Sequence, residues 1–248
     1  MLIFIVNRPI FCEKTEEFIC KQFLHLISNN KVITMKINKW EKFADSFEEK
    51  NNYVAGLENI KLVKNSLSSL SNLGEVLELG CGNGTYTKCF VNSSTHITAT
   101  DISEDMLSVT RKIFKNTENI TIEQADCFNL KYSDNSFDTV FMANLIHIVP
   151  DPEALLSECF RVLKNGGKLV VVSFTLHGMT FINQLRIKYR YLKTYGSKPS
   201  KSIILTPELA VKMSKNSGYS NIETNIIGKN VNAILFTAEK INNTLCNY

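Results

Sequence analysis

Val76-Leu77-Glu78-Leu79-Gly80-Cys81-Gly82-Asn83-Gly84-Thr85 is the stretch whose reading decides the fold. It reads as a buried strand with an acidic residue near its end, then glycines at every second position, then the start of a helix expected over 84–91. Glycine lets the backbone turn sharply there and lets a ligand approach main chain with no Cβ in the way. A dinucleotide site has the spacing G-x-G-x-x-G and a helix N-terminus facing a pyrophosphate. Here the spacing is G-x-G-x-G, and Glu78 precedes the loop. A carboxylate at that place repels a pyrophosphate and welcomes an ammonium group. The ligand is therefore expected to be cationic at that end.

A second carboxylate extends the reading. Asp101 closes the apolar-leaning stretch His96-Ile97-Thr98-Ala99-Thr100, 17 residues beyond Gly84. That is close to the roughly 20-residue offset at which an acid at the tip of a second strand meets a ribose diol. A ligand with a ribose, a cationic amino-acid tail and no phosphate is S-adenosylmethionine. Further motifs follow in order: Gln124-Ala125-Asp126-Cys127 after a third strand, then Phe137-Asp138-Thr139-Val140-Phe141-Met142-Ala143-Asn144. Asn144-Leu145-Ile146-His147-Ile148-Val149-Pro150-Asp151-Pro152 comes next, and Arg161-Val162-Leu163-Lys164-Asn165-Gly166-Gly167-Lys168-Leu169-Val170-Val171-Val172 closes the series. With these motifs, over about residues 75–175, the chain resembles the class I S-adenosylmethionine-dependent methyltransferases of the type 11 domain group.

The resemblance implies a site. Glu78 would hold the methionine end, and Gly80, Cys81, Gly82 and Gly84 would form the loop. Asp101 would clamp the ribose, with Ile102 and Met106 beside it. Asp126 and the backbone N–H of Cys127 would meet the adenine, and Asn144 would lie beneath the methionine moiety. Plainer readings exist for single residues. Asp101 on its own is a helix cap ahead of Ser103-Glu104-Asp105, and Asp126 a turn cap. The order and spacing of all the motifs together favour the functional reading.

Composition agrees with one sizeable α/β domain carrying an appendage. The chain has 248 residues, 44% hydrophobic and 21% charged, values ordinary for a globular protein. No run of about 18 apolar residues suggests a transmembrane helix. Met1-Leu2-Ile3-Phe4-Ile5-Val6 ends at Asn7-Arg8-Pro9 and lacks the features of a signal peptide. The seven cysteines are scattered with no C-x-x-C, which argues against a disulfide framework or a metal site. A cytoplasmic location is expected.

Alternating patterns predict a parallel sheet, and the resemblance implies a Rossmann-like, doubly wound, mostly parallel seven-stranded sheet with an antiparallel C-terminal strand. Strands are expected over 75–79, 96–100, 119–123, 137–142 and 167–174, with helices near 84–91, 103–115 and 151–164. Gly166-Gly167 is expected to stop the last of these. Thr206-Pro207-Glu208 opens a helix that should end near Gly218, and a hairpin over 221–227 and 231–238 turns at Gly228 to Asn230. The domain boundaries are an N-terminal extension at 1–34, a helical lid at 35–72, and the methyltransferase domain at 73–248 with an acceptor-side helical insert over about 176–205. The extension is either an accessory helix around Glu16 to Ile27 or an upstream segment, the latter preferred. In the lid, Trp40-Glu41-Lys42-Phe43-Ala44-Asp45-Ser46-Phe47-Glu48 resembles the family's N-terminal helix, with Phe47 where many relatives carry Tyr.

Methyl transfer from a sulfonium needs alignment at about 3–3.5 Å more than it needs an acid or base. A base matters only where the acceptor loses a proton. His147, just past the fourth strand, is the candidate. A loop-packing role with a main-chain hydrogen bond is the plainer reading of the same residue, and Tyr53 and His177 are weaker candidates. From Cys159 through Pro207 there is no acidic residue, but nine basic ones: Arg161, Lys164, Lys168, Arg186, Lys188, Arg190, Lys193, Lys198 and Lys201. Phe181, Leu185, Tyr189 and Leu192 recur among them at helical spacing. That segment reads as a pocket cap with an electropositive mouth, a surface resting on anionic headgroups or a nucleic-acid backbone, or a solvated basic face on a core-packed helix. The net charge of +4 is modest for a nucleic-acid binder. A small-molecule acceptor, of amphipathic character, is the resulting expectation. An RNA or protein acceptor docking through 161–201 is the first alternative, and a non-catalytic S-adenosylmethionine-binding module the second. The region beyond residue 175 carries no match to the quinone-biosynthesis enzymes that the stretch around His147 resembles.

Overall fold

The structure is a computed structural model, and it describes residues 44–199 and 201–241. The extension at 1–34, and the lid residues before 44 with Trp40 among them, lie outside the described residues. Two helices come first, α1 (Phe47–Ala55) and α2 (Leu57–Ser68), separated by Gly56 at φ 85°. There follow β1 (Gly74–Leu79), β2 (Ser94–Asp101), α3 (Glu104–Ile113), β3 (Ile120–Gln124) and β4 (Phe137–Ala143). The remainder is α4 (Pro152–Val162), β5 (Leu163–Thr175), α5 (Phe181–Tyr195), α6 (Pro207–Asn216), β6 (Ser220–Gly228) and β7 (Asn232–Glu239).

The strands form one seven-stranded sheet in the order β3-β2-β1-β4-β5-β7-β6. The first five pair in parallel, and β7 runs antiparallel between β5 and β6. The expected architecture and the closing hairpin are both present. Helix starts follow local chemistry. Ser103 accepts the Met106 N–H at 3.4 Å, Asp151 that of Ala154 at 3.0 Å, and Thr206 that of Leu209 at 3.2 Å. Pro152 and Pro207 occupy the first turns of α4 and α6, where a missing N–H costs nothing.

Apolar side chains pack on both faces of the sheet. Leu77 and Leu79 of β1, with Val140 and Met142 of β4, join α4 and α6 on one side. Val76, Phe141, Val170 and Val172 join α2 and α3 on the other. This strand alternation puts Glu78 on the same side as Val76, in a layer that is otherwise apolar.

Two expectations fail. No α-helix spans 84–91; the chain makes a single 3-10 turn, Thr87–Cys89, and Phe90 then buries its ring edge-on against Phe141 at 4.4 Å. With β2 already beginning at Ser94, residues 85–93 are too few to complete a helix and return to the sheet edge. The second failure concerns the glycine pair, which does not terminate α4. That helix ends at Val162, and Gly166-Gly167 lie within β5, where the β4–β5 register shifts. A Cβ on Gly167 would stand 2.8 Å from the Lys164 carbonyl oxygen, so the irregularity demands glycine. The α4 end is closed from the far side of the chain. Lys240, past β7 and 5% exposed, donates from Nζ to the carbonyls of Phe160 at 2.8 Å and Leu163 at 2.7 Å.

Candidate functional site

The strand order reverses between β1 and β4, so the loops leaving their carboxyl ends flank a crevice. The first loop is fixed by short hydrogen bonds. Cys81 donates its N–H to Thr100 O at 2.9 Å, and Gly84 donates to Cys81 O at 2.9 Å. The Thr110 hydroxyl donates to Gly82 O at 2.7 Å. Gly82 (φ 56°) and Gly84 (φ 76°) both sit in the left-handed region, for separate reasons. A Cβ on Gly84 would lie 2.6 Å from the Phe114 ring, so that glycine permits close packing of loop on helix. A Cβ on Gly82 would meet only the Phe47 ring, at 4.0 Å, so the loop's backbone is open beneath an aromatic side chain from α1.

Asp101 holds this loop to the start of α3. Its Oδ2 accepts the Gly82 N–H and its Oδ1 accepts the Ser103 N–H, each at 2.9 Å. Burial raises its pKa, and the backbone N–H groups of Ser103, Gly82 and Ile102 partly offset that. An ionised carboxyl offers about four acceptor positions, so capacity remains for a ligand. Positioning the loop and receiving a diol are therefore compatible for this side chain.

Glu78 stands out among the described residues. It is 1% exposed, and its Oε2 has no hydrogen-bond partner. Burial pushes its pKa from 4.5 to about 7; the Thr87 hydroxyl offsets this and the Asp101 charge adds to it. Thr87 Oγ1 nonetheless makes no hydrogen bond of good geometry, nor does the buried Tyr86 hydroxyl, whose pKa burial raises to about 12. Three buried polar atoms beside one glycine loop thus make no hydrogen bond of good geometry. Thr87 and Tyr86 gave no sequence signal, because a Thr and a Tyr after the loop read as ordinary packing residues.

The other sequence-predicted residues occupy the same end of the sheet. Cys81 is buried, and its thiol pKa is raised by burial and by the charges of Glu78 and Asp101. Met106 is buried, whereas Ile102 is more exposed and its carbonyl accepts from Gln124 Nε2 at 2.8 Å. Asp126 is exposed, and its Oδ1 accepts the Phe128 N–H at 2.9 Å, the turn-capping role weighed above. Beside it Cys127 is half-buried, its pKa raised to about 12 by burial and by Asp126. Asn144, at φ 55°, ties β4 to β5: its N–H donates to Val172 O at 2.8 Å and its Oδ1 accepts the Phe174 N–H at 3.0 Å.

His147 lies on the same loop with Nδ1 2.8 Å from Ser173 Oγ. Its carbonyl accepts the Ile203 N–H at 3.0 Å. Burial, helped by the charge of Lys198, lowers its pKa to about 4. The ring is neutral at pH 7 and a weak base, where a free imidazole would titrate near neutrality. Its ring partner is a side chain on β5 rather than main chain. Tyr53 is exposed under the Arg190 guanidinium, 5.7 Å from its ring centre. His177 donates its N–H to Thr175 Oγ1 at 3.1 Å, in the turn after β5. Among the described residues no His, Cys, Asp and Glu cluster could hold a metal ion.

Residues 77–171 match the family model described as a methyltransferase domain. The chain is 35% identical over 100 residues to a demethylmenaquinone methyltransferase of Clavibacter sepedonicus, covering 40% of this chain and 41% of that protein. It is 32% identical over 158 residues to the enzyme of that name in Bacteroides fragilis, covering 61% and 60%. The match thus spans about two-fifths to three-fifths of these relatives' own length. Among solved structures, an S-adenosylmethionine-dependent methyltransferase of Thermotoga maritima superposes with a TM-score of 0.60 at 22% identity, covering 82% of this chain and 99% of that one. At that identity the likeness shows the fold. The resemblance read from the motifs is borne out over residues 77–171.

Proposed function

We propose that this protein is an S-adenosylmethionine-dependent methyltransferase acting on a small-molecule acceptor. The observation that carries the proposal is the buried, partnerless Glu78 Oε2 beside the glycine loop, inside the segment that matches a methyltransferase domain. A buried carboxylate with an empty acceptor position fits the ammonium group of a methionine tail, and a pyrophosphate would be repelled there. Asp101 keeps acceptor capacity for a ribose diol, and the open backbone at Gly82 gives room under the Phe47 ring. When bound, S-adenosylmethionine supplies a sulfonium methyl: the acceptor's electron pair forms the bond to carbon, and the carbon–sulfur pair leaves with sulfur.

The chain's residues then bind, orient and exclude water. Phe47 lies over the loop and contacts Tyr195 of α5 with ring centres 6.4 Å apart, an aromatic surface suited to covering an acceptor. His147, neutral and bonded to Ser173, is suited to orienting an acceptor through a ring nitrogen rather than to removing a proton of high pKa. An acceptor already nucleophilic when neutral, or one ionised before binding, suits this site best. Relatives named for demethylmenaquinone support a small-molecule acceptor.

An RNA or protein acceptor docking through 161–201 is less well supported. Arg161 is engaged by Asp134 and Glu158, and Lys164 by Asp138, so the basic run is partly neutralised. A cofactor-binding module without transfer is the third reading. Incubation of purified protein with methyl-labelled S-adenosylmethionine and a fractionated extract separates the three, with Asp101→Ala as control. Label in small or organic-soluble species supports the proposal, label in RNA or protein overturns the acceptor class, and no transfer despite binding favours the module. Asp101→Ala should weaken cofactor binding by roughly 1–3 kcal/mol.

A further inference from the structure

Helix α5 is turned the wrong way round for a soluble surface helix. Its packed face carries Asn183, Gln184, Ile187, Tyr191, Thr194 and Tyr195. Its outward face carries Phe181, Ile182, Leu185, Tyr189 and Leu192, each between 49% and 73% exposed. At about 100° per residue these five fall within one arc of roughly 100°. Arg186 and Lys193 border that arc on one side and Lys188 on the other, with Arg190 further round toward the packed face. None of the four forms an ion pair with a described residue, and no acidic side chain occurs between Cys159 and Pro207. A contiguous apolar stripe of this kind is rare on a monomer's surface unless something covers it.

We infer that α5 docks on an anionic lipid surface, with the Phe181–Leu192 stripe in the acyl boundary and the flanking basic residues on the headgroups. Charge complementarity selects this occupant. A basic border with an apolar centre matches a layer that is negative at its surface and apolar beneath, and long Lys and Arg stems reach from one zone to the other. At 15 residues the helix is roughly 22 Å long, too short to cross a hydrocarbon core of about 30 Å, so it lies in the plane of the interface. A cleft of about 280 Å³ lies on the packed side of α5, past the basic border, lined by Leu57, Asn183, Arg186, Ile187, Arg190 and Val231 among others. Its two arginines stand one helical turn apart and offer a place for a phosphate headgroup, although Glu58 also reaches its rim. Tyr195 at the far end of α5 touches Phe47, so the docked helix would adjoin the aromatic cover of the loop.

Sedimentation of the full chain with vesicles tests this directly. Phosphatidylcholine vesicles containing phosphatidylglycerol should carry the protein down, and pure phosphatidylcholine should carry down far less. Arg186→Gln with Lys193→Gln should lower partitioning about thirtyfold, at roughly 1 kcal/mol per basic residue near the surface. Leu185→Ser with Leu192→Ser should lower it on the order of tenfold or more. All four side chains are outward-facing, so both variants should keep the wild-type circular dichroism. Equal sedimentation with both vesicle types, or unchanged sedimentation of both variants, overturns the inference. So does a concentration-dependent dimer lost in the leucine variant while vesicles are ignored, or RNA retention lost only in the charge variant. Vesicle binding needs no cofactor. A protein that binds vesicles without transferring methyl refutes only the function proposed above, and one that transfers methyl while ignoring vesicles refutes only the docking.

Discussion

At the end of β1 a carboxylate sits in an apolar layer with one oxygen unpartnered, whereas along α5 five large apolar side chains stand in water. Each region reverses the usual division of polar and apolar groups, and each does so at a cost. Burying a charge without a partner is met by a shift in pKa toward the neutral form, which is what Glu78 shows. Exposing an apolar stripe forgoes roughly 25 cal/mol for every Å² left in water. The two costs differ in kind, and so do the partners that would relieve them: a cation for the first, an apolar phase for the second. What the contrast teaches is that an unsatisfied surface carries the chemical signature of what it lacks.

The largest expected effect breaks the comparison at its buried end. Raising the Glu78 pKa from 4.5 to about 7 means the folded chain holds that proton more tightly than the unfolded chain. The associated stability is fully present below about pH 4.5 and is lost as pH rises through about 7, an amount of about 3 kcal/mol at 1.36 kcal/mol per pH unit. Glu78→Gln removes this loss. Urea denaturation of the ligand-free protein should therefore show the variant gaining on the wild type between pH 4.5 and 7, then holding level. A difference that stays flat across that window would place the carboxyl in contact with water or a cation.

A smaller effect sharpens the same end. An ammonium group beside Glu78 lowers its pKa, so binding at pH 7 should release a proton from part of the population. The affinity for S-adenosylmethionine should fall by up to about tenfold for each pH unit below 7, until the pKa of the bound state is reached. Calorimetry in two buffers of different ionisation enthalpy reads the proton directly, and Glu78→Gln should abolish its release. Proton-free binding would mean the cationic end lies elsewhere.

The smallest effect belongs to α5. Because Leu185 and Leu192 are 49% and 61% exposed, replacing both with Ser should move the unfolding free energy by no more than about 0.5 kcal/mol per site. A loss of several kcal/mol would show that this face packs against protein in solution, and the two regions would then no longer be alike.

Local patterns made much of the molecule legible. The glycine loop, the alternating strands, the helix opening at Thr206-Pro207 and the closing hairpin each depend on neighbours a few residues away, which is where sequence periodicity and turn chemistry act. The misread segments depended on distance. The crossover after Gly84 is one 3-10 turn because β2 begins at Ser94, and α4 ends at Val162 where the chain turns extended into β5, its last carbonyls met by the Lys240 ammonium from the other end of the chain. The Ser173 partner of His147 was likewise unreadable, since 26 residues and a change of strand separate them.

The sequence by itself determined the order of strands and helices, the carboxylates at the ends of β1 and β2, and the basic, acid-free run through α5. Those follow from residue type and spacing, which short-range sterics and hydrogen bonding convert into local structure. Only the tertiary structure decided that Glu78 is sealed from water, that Asp101 spends two bonds on backbone, that His147 is neutral, and that α5 turns its apolar face outward. Burial and the direction of a helix face are set by what packs from elsewhere in the chain, and helical periodicity marks an apolar stripe without stating which side of the protein it meets.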